Sequence, residues 1–158
     1  LRSLVGSEMC IRDRSCPRKL DMLRLRHLVK YLLGTVEYCW CFYWQDRQKS
    51  FIGFSDSDWA EDPVTRKSVS SGYIQLVAHT IAPWVSGQPV VALSSGEAEF
   101  YALGRLVAGL LFLKWLGGEL GTELRVKARS DSSAARGMAG RTGSGAVKHL
   151  ETRWLWLQ

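Results

Sequence analysis

Asparagine is absent from the 158 residues, so there is no N-glycosylation acceptor. Histidine (3), proline (4) and cysteine (4) are sparse. None of Cys10, Cys16, Cys39 and Cys41 falls in a C-x-x-C pair, and no histidine stands near enough to complete a zinc pattern. Zinc ribbons and fingers are thereby set aside. Cys39 and Cys41 alternate within an aromatic stretch and read as small strand residues, and unpaired cysteines fit a reducing, intracellular compartment. Long apolar runs are also missing: the longest, 106–113, is too short to cross a bilayer. No charged segment followed by an apolar one opens the chain, so no secretory signal is expected. Charge of one sign is only mildly in excess. Lys+Arg number 21 against Asp+Glu 15, a formal +6. That permits a nucleic-acid partner without demanding one.

What is present suffices for a core. Hydrophobic residues make up 46% and aromatics 11% of the chain, which argues against wholesale disorder. The length suits one domain, or one domain and a fragment of another.

Residues 4–13 look like a translated sequencing-library adapter. The frame CTC GTG GGC TCG GAG ATG TGT ATA AGA GAC encodes them in order. Residues 1–15 are therefore read as non-native and kept out of the fold argument, and both ends of the chain are expected to be arbitrary.

The remainder changes character along its length. Apolar residues at Leu25, Leu28, Val29 and Leu32 mark one face of a helix over 20–34, with Gly34 as its cap. The aromatic stretch 38–44 predicts a strand. Strands follow at 51–54, 72–77 and 81–85, the last two joined by a hairpin across His79-Thr80. Ser94 with Glu97 three residues on forms a capping-box pattern and opens a helix to about Leu116. That helix is apolar on most sides and is expected to be central and buried. Gly117, Gly118 and Gly121 end it. A strand over 125–129, a short helix over 132–138 and a Trp-rich helix over 147–158 complete the series. A β-β-β-α-β order allows an antiparallel meander plus a crossover that makes the fourth strand parallel to an earlier one. The expected fold class is a mixed α/β sheet with packed helices.

Three acids stand at informative places. Asp56 ends the first strand of the sheet, Glu99 lies in the first turns of the central helix and Asp131 ends the fourth strand. Acids so placed can converge at one sheet edge, where their repulsion calls for cations. Oxygen-only ligands suit Mg²⁺ or Mn²⁺, and two such ions serve phosphodiester hydrolysis. Simpler roles stand beside this. The D-x-D can be a solvated turn, Glu99 can favour the helix dipole, and Asp131 can be an N-cap. Glu97 has a structural role as capping partner.

The exact strings weight these alternatives. GFSDSDWAED over 53–62 resembles the GYSDADWAGD segment of copia-type retrotransposon Pol polyproteins. RKSVSSGY over 66–73 resembles their RKSTSGY. QPVVALSSGEAEF over 88–100 resembles QPTVALSSTEAEY, and KHLETRW over 148–154 resembles KHIDIRY. More loosely, 23–38 resembles the end of their reverse transcriptase region.

The resemblance implies an RNase H-like α/β fold, three antiparallel strands plus a parallel fourth with packed helices, truncated at the C-terminus. It implies residues 16–48 as the tail of the reverse transcriptase region and 49–158 as an incomplete RNase H-like domain. The implied activity is cleavage of the RNA strand of RNA–DNA hybrids with two Mg²⁺ or Mn²⁺ ions. Carried over by position, Asp56, Glu99 and Asp131 match catalytic, metal-binding acids. Asp58 is a secondary metal candidate, close by but not expected to share Asp56's direction without a bend. Arg66, Lys67, Lys148 and His149 are the nucleic-acid-binding candidates. Arg125, Lys127, Arg129, Arg136, Arg141 and Arg153 are further cations that could meet phosphates.

Implied partners are the hybrid and the reverse transcriptase region of the same polyprotein, with no membrane. The implied location is an intracellular, cytoplasmic virus-like particle or the nucleus. The chain departs from the family in lacking the Asn after Asp131, in Glu151 for Asp, and in stopping before the segment that supplies a fourth acid. An inactive retroelement remnant that at most binds nucleic acid is therefore the alternative reading. The order of the strings argues against an integrase-like nuclease.

Overall fold

A computed structural model describes residues 18–46, 49–143 and 152–157. The adapter-like segment, Cys10, Cys16, Lys148, His149 and Glu151 lie outside the described residues. The chain divides into two compact units, Leu1–Trp44 and Gln45–Gln158.

In the first unit, helix α1 (Lys19–Gly34) starts where Asp21 accepts a hydrogen bond from the Arg18 backbone N–H at 2.8 Å. That contact and the nearby cations hold the Asp21 carboxyl below its usual range. The strand expected over 38–44 does not form. These residues are without regular structure and largely exposed, Trp44 at 95%. Aromatic and β-branched residues favour a strand only where a neighbour supplies ladder bonds and packing, and none is paired with them among the described residues. Cys39 and Cys41 are accordingly exposed free thiols, not strand residues.

The second unit is a four-stranded sheet in the order β3-β2-β1-β4. Strands β1 (Ser50–Asp58), β2 (Val69–Leu76) and β3 (His79–Gly87) form the antiparallel meander. Strand β4 (Arg125–Ser130) pairs parallel to β1, with Ser55 opposite Ser130. The sheet is the mixed one expected from the element order. The β2–β3 turn falls at Val77-Ala78, not His79-Thr80, because His79 already pairs with Leu76. Val77 takes a positive φ of 56° there, a costly conformation for a β-branched residue.

Helix α2 (Ser95–Glu119) crosses between β3 and β4. Its 25 residues are long and apolar enough to span a membrane by length and composition, unlike the short uninterrupted run. Burial is concentrated at its start: Ala98, Phe100, Leu106 and Leu110 are essentially inaccessible, while Phe112 and Trp115 are exposed. It runs through Gly117 and Gly118 to Glu119, and the turn comes at Gly121, whose φ is +71°. Gly53 on β1 permits the close approach of α2. A Cβ there would lie 2.5 Å from Leu106 Cδ1.

Helix α3 (Ser133–Ala139) is capped by Ser132, whose Oγ accepts from Ala135 N at 3.1 Å. Asp131 is thus not the cap. Residues Thr152–Leu157 form a 3-10 helix where part of a longer helix was expected.

Candidate metal centre

Two strands and one helix assemble the site. Because Ser55 and Ser130 are register partners on parallel strands, the next residues, Asp56 and Asp131, come to lie side by side. The C-terminal end of a parallel pair is where α/β sheets bind ligands. Glu99 arrives from the second turn of α2. One ligand oxygen from each of Asp56, Glu99 and Asp131 lies within 4.8 Å of the others. The aspartates are exposed and Glu99 is partly buried.

Several contacts fix Glu99. The Ser57 backbone N–H and hydroxyl both donate to Glu99 Oε1, each at 3.0 Å. Its other oxygen, Oε2, is buried without a hydrogen-bond partner among the described residues. Burial raises the Glu99 pKa above its ordinary value. The two Ser57 hydrogen bonds oppose the rise, and the charges of Asp56 and Asp131 add to it.

The start of α2 is itself latched. Ser94 Oγ accepts from Glu97 N at 3.2 Å, and the nearly inaccessible Glu97 carboxylate accepts from Leu93 N and the Tyr101 hydroxyl. Gln88, also buried, donates through Nε2 to Ser70 Oγ and to the Ala98 carbonyl, each at 2.8 Å. Glu97 therefore holds the helix that carries Glu99. On the other strand, Arg136 Nη1 donates to the Ser130 and Asp131 carbonyls at 2.6 and 3.1 Å.

The site therefore brings together Asp56, Glu99 and Asp131 and leaves Asp58 outside the cluster. Asp58 shares Asp56's strand parity, contrary to expectation, because residues two apart in a strand point to one face. Its distance along β1, not its direction, separates it. Arg66 is exposed and Lys67 half-buried in the β1–β2 loop, where Asp62 accepts from Val64 N, Thr65 N and the Thr65 hydroxyl. Trp59 stays half-exposed and donates to the Ala92 carbonyl, while Trp84 lies under the Arg105 guanidinium.

Sequence reasoning missed Ser57 and the positioning contact of Arg136. The signal for Ser57 was present: it stands where the GYSDADWAGD pattern has alanine. Arg136 had no signal, since its contact is to backbone carbonyls of the strand end.

The carboxylate-only donor set, with one buried oxygen lacking a partner, fits a hard divalent cation such as Mg²⁺ or Mn²⁺. It suits zinc less well, because zinc sites are built around His nitrogen or Cys sulfur, and the cluster has neither.

No protein-family profile matches the chain. Over 145 residues, 90% of its length, it is 31% identical to a retrovirus-related Pol polyprotein from transposon TNT 1-94 of Nicotiana tabacum. It spans 11% of that polyprotein. It is 36% identical over 114 residues to the secreted RxLR effector protein 161 of Plasmopara viticola, covering 72% of this chain and 78% of the relative. An uncharacterized mitochondrial protein of Arabidopsis thaliana is 30% identical over 95 residues, 60% of this chain and 39% of that one. Among solved structures, LC11-RNase H1 from compost aligns at a TM-score of 0.45 and 20% identity, over 70% of this chain and 71% of that chain. With the copia-like strings in order along its mixed four-stranded sheet, the chain is similar over most of its length to one segment of a retrotransposon Pol polyprotein.

Proposed function

We propose that this segment is a two-metal ribonuclease H, acting on the RNA strand of RNA–DNA hybrids during retrotransposon reverse transcription. The observation that supports the reading is the convergence of three carboxylates from β1, α2 and β4 within 4.8 Å. Asp56, Glu99 and Asp131 would hold the ions, with Asp58 outside the cluster. Bound there, divalent cations would activate a water and stabilise the leaving oxygen of a phosphodiester. The protein's part is to preorganise the oxygens. Ser57 fixes one face of Glu99, and the latch around Glu97 fixes the start of its helix. A-form geometry of a hybrid would be read through phosphates and 2′-hydroxyls, with Arg66 and Lys67 as candidate contacts beside Lys148 and His149. The polyprotein's reverse transcriptase region is the proposed partner, the division falling near residue 48.

The test is cleavage of a labelled RNA–DNA hybrid with Mg²⁺ and with Mn²⁺, beside Asp56→Asn and Glu99→Gln. Metal-dependent cutting of the RNA strand, lost in both variants, is the expected result. A folded chain that binds hybrid and does not cut it would favour an inactive remnant instead.

A further inference from the structure

The sheet face turned away from α2 carries a row of cations. Along β4, Arg125, Lys127 and Arg129 are exposed, and Val126, Ala128 and Ser130 between them are half-buried. Positions two apart on a strand repeat about every 6.6 Å, on the scale of one nucleotide step along a phosphodiester backbone. Among the described residues none of the three forms an ion pair.

The end of the row nearest the acids is held in place. The Arg129 guanidinium lies 5.7 Å from the centroid of the Phe54 ring on β1. Phe54 in turn stacks on Tyr73 of β2, with centroids 5.0 Å apart and planes at 21°. Such a cation–π contact fixes the guanidinium by one face and leaves its N–H edge to donate. Arg129 and Phe54 line an open pocket of about 350 Å³ together with Ser55, Asp56, Ser130 and Asp131. The cations thus lead along one strand to the carboxylates at its end. The row attracts a polyanion that the acids alone would repel.

We propose that β4 is the track of a nucleic-acid strand, its phosphates seated on Arg125, Lys127 and Arg129, with Arg129 setting the phosphate beside the acid cluster. The role of that last phosphate rests on the nuclease reading. The track itself requires only a phosphodiester backbone.

The test measures the salt dependence of binding by the whole chain in EDTA, using fluorescein-labelled hybrid, single-stranded RNA and single-stranded DNA of one sequence. Each lost phosphate contact flattens the slope of log K against log salt by about 0.7–0.9. The triple variant Arg125→Gln/Lys127→Gln/Arg129→Gln is expected to flatten the hybrid slope by about 2–3. Between 50 and 200 mM salt it then loses about 20–40-fold less affinity than wild type. A control removing three cations from α1, Lys19→Gln/Arg26→Gln/Lys30→Gln, should leave the slope unchanged. An unchanged slope in the β4 variant, or equal flattening in the control, overturns the proposal. If melting curves show the triple variant unfolded, Lys127→Gln alone decides, by a flattening of about 0.7–0.9 or none. The three probes identify which strand chemistry rides the track. Cleavage with Mg²⁺ is scored separately. A flattened slope without wild-type cleavage keeps the track and sinks the nuclease. Cleavage with an unchanged slope does the reverse.

Discussion

Ser57 and Glu99 form the most informative residue pair. One hydroxyl and one backbone N–H occupy Glu99 Oε1, while Oε2 is buried without a hydrogen-bond partner among the described residues. Removing an outer partner of a ligating carboxylate typically costs 10–100-fold in metal affinity. Ser57→Ala should therefore weaken Mn²⁺ binding by about 10-fold in calorimetry, and Ser57→Thr should restore it. Glu99 also predicts a pH dependence. Its folded pKa is raised above the unfolded value, chiefly by burial. The folded state then holds the proton more tightly, so Glu99's contribution to stability falls as pH rises from the unfolded pKa through the folded one. Without metal, wild type should lose stability relative to Glu99→Gln across that window. Melts in EDTA over a pH series check this, and an unchanged difference would contradict it.

At the scale of elements, the placement of α2 decides the site. Gly53 lets the helix approach β1, and Leu106, fully buried, fills the contact. Leu106→Ala should cost about 2–5 kcal/mol through the cavity it leaves. Gly53→Ala should cost about 1–3 kcal/mol, because the new methyl meets Leu106 and the helix must shift. Urea titration measures both. Gly53→Ala carries the further expectation of weakened metal binding, since the displaced helix takes Glu99 with it. The order of the elements from β1 to α3 and the capping Ser94 were legible in sequence; the strand ends were not, since β1 runs on from 54 to Asp58 and β2 starts at Val69, three residues before 72. The stretch 38–44 was not, because its aromatic composition reports fitness for a paired surface and says nothing of whether a partner exists. The hairpin was misplaced by two residues for a related reason: neither Val77 nor Ala78 belongs to the residue types that usually mark turns.

At the scale of the whole molecule, a cation held at the acid cluster would link binding to folding. Three carboxylates within 4.8 Å repel one another, and an ion that binds only the folded state stabilises it by mass action. At 100 times its dissociation constant that gain is about 2.7 kcal/mol. For a chain of this size the melting temperature should rise by roughly 5–10 °C. Scanning calorimetry with and without Mn²⁺ measures the shift, and Asp56→Asn should abolish most of it.

Sequence by itself supplied the resemblance to retrotransposon Pol polyproteins, the mixed sheet and the three acids as candidates, because strings such as SDSDWA and SSGEAEF tie acids to a strand or a helix start. The tertiary structure alone decided which acids meet. Asp58 and Asp56 share one strand face, yet only Asp56 stands beside Asp131, and that follows from the parallel register of β1 and β4. It also decided that Ser57 would hold Glu99 across 42 residues of chain. Periodicity along a chain reports which face a residue occupies. Distances between elements depend on register and packing, which no local pattern encodes.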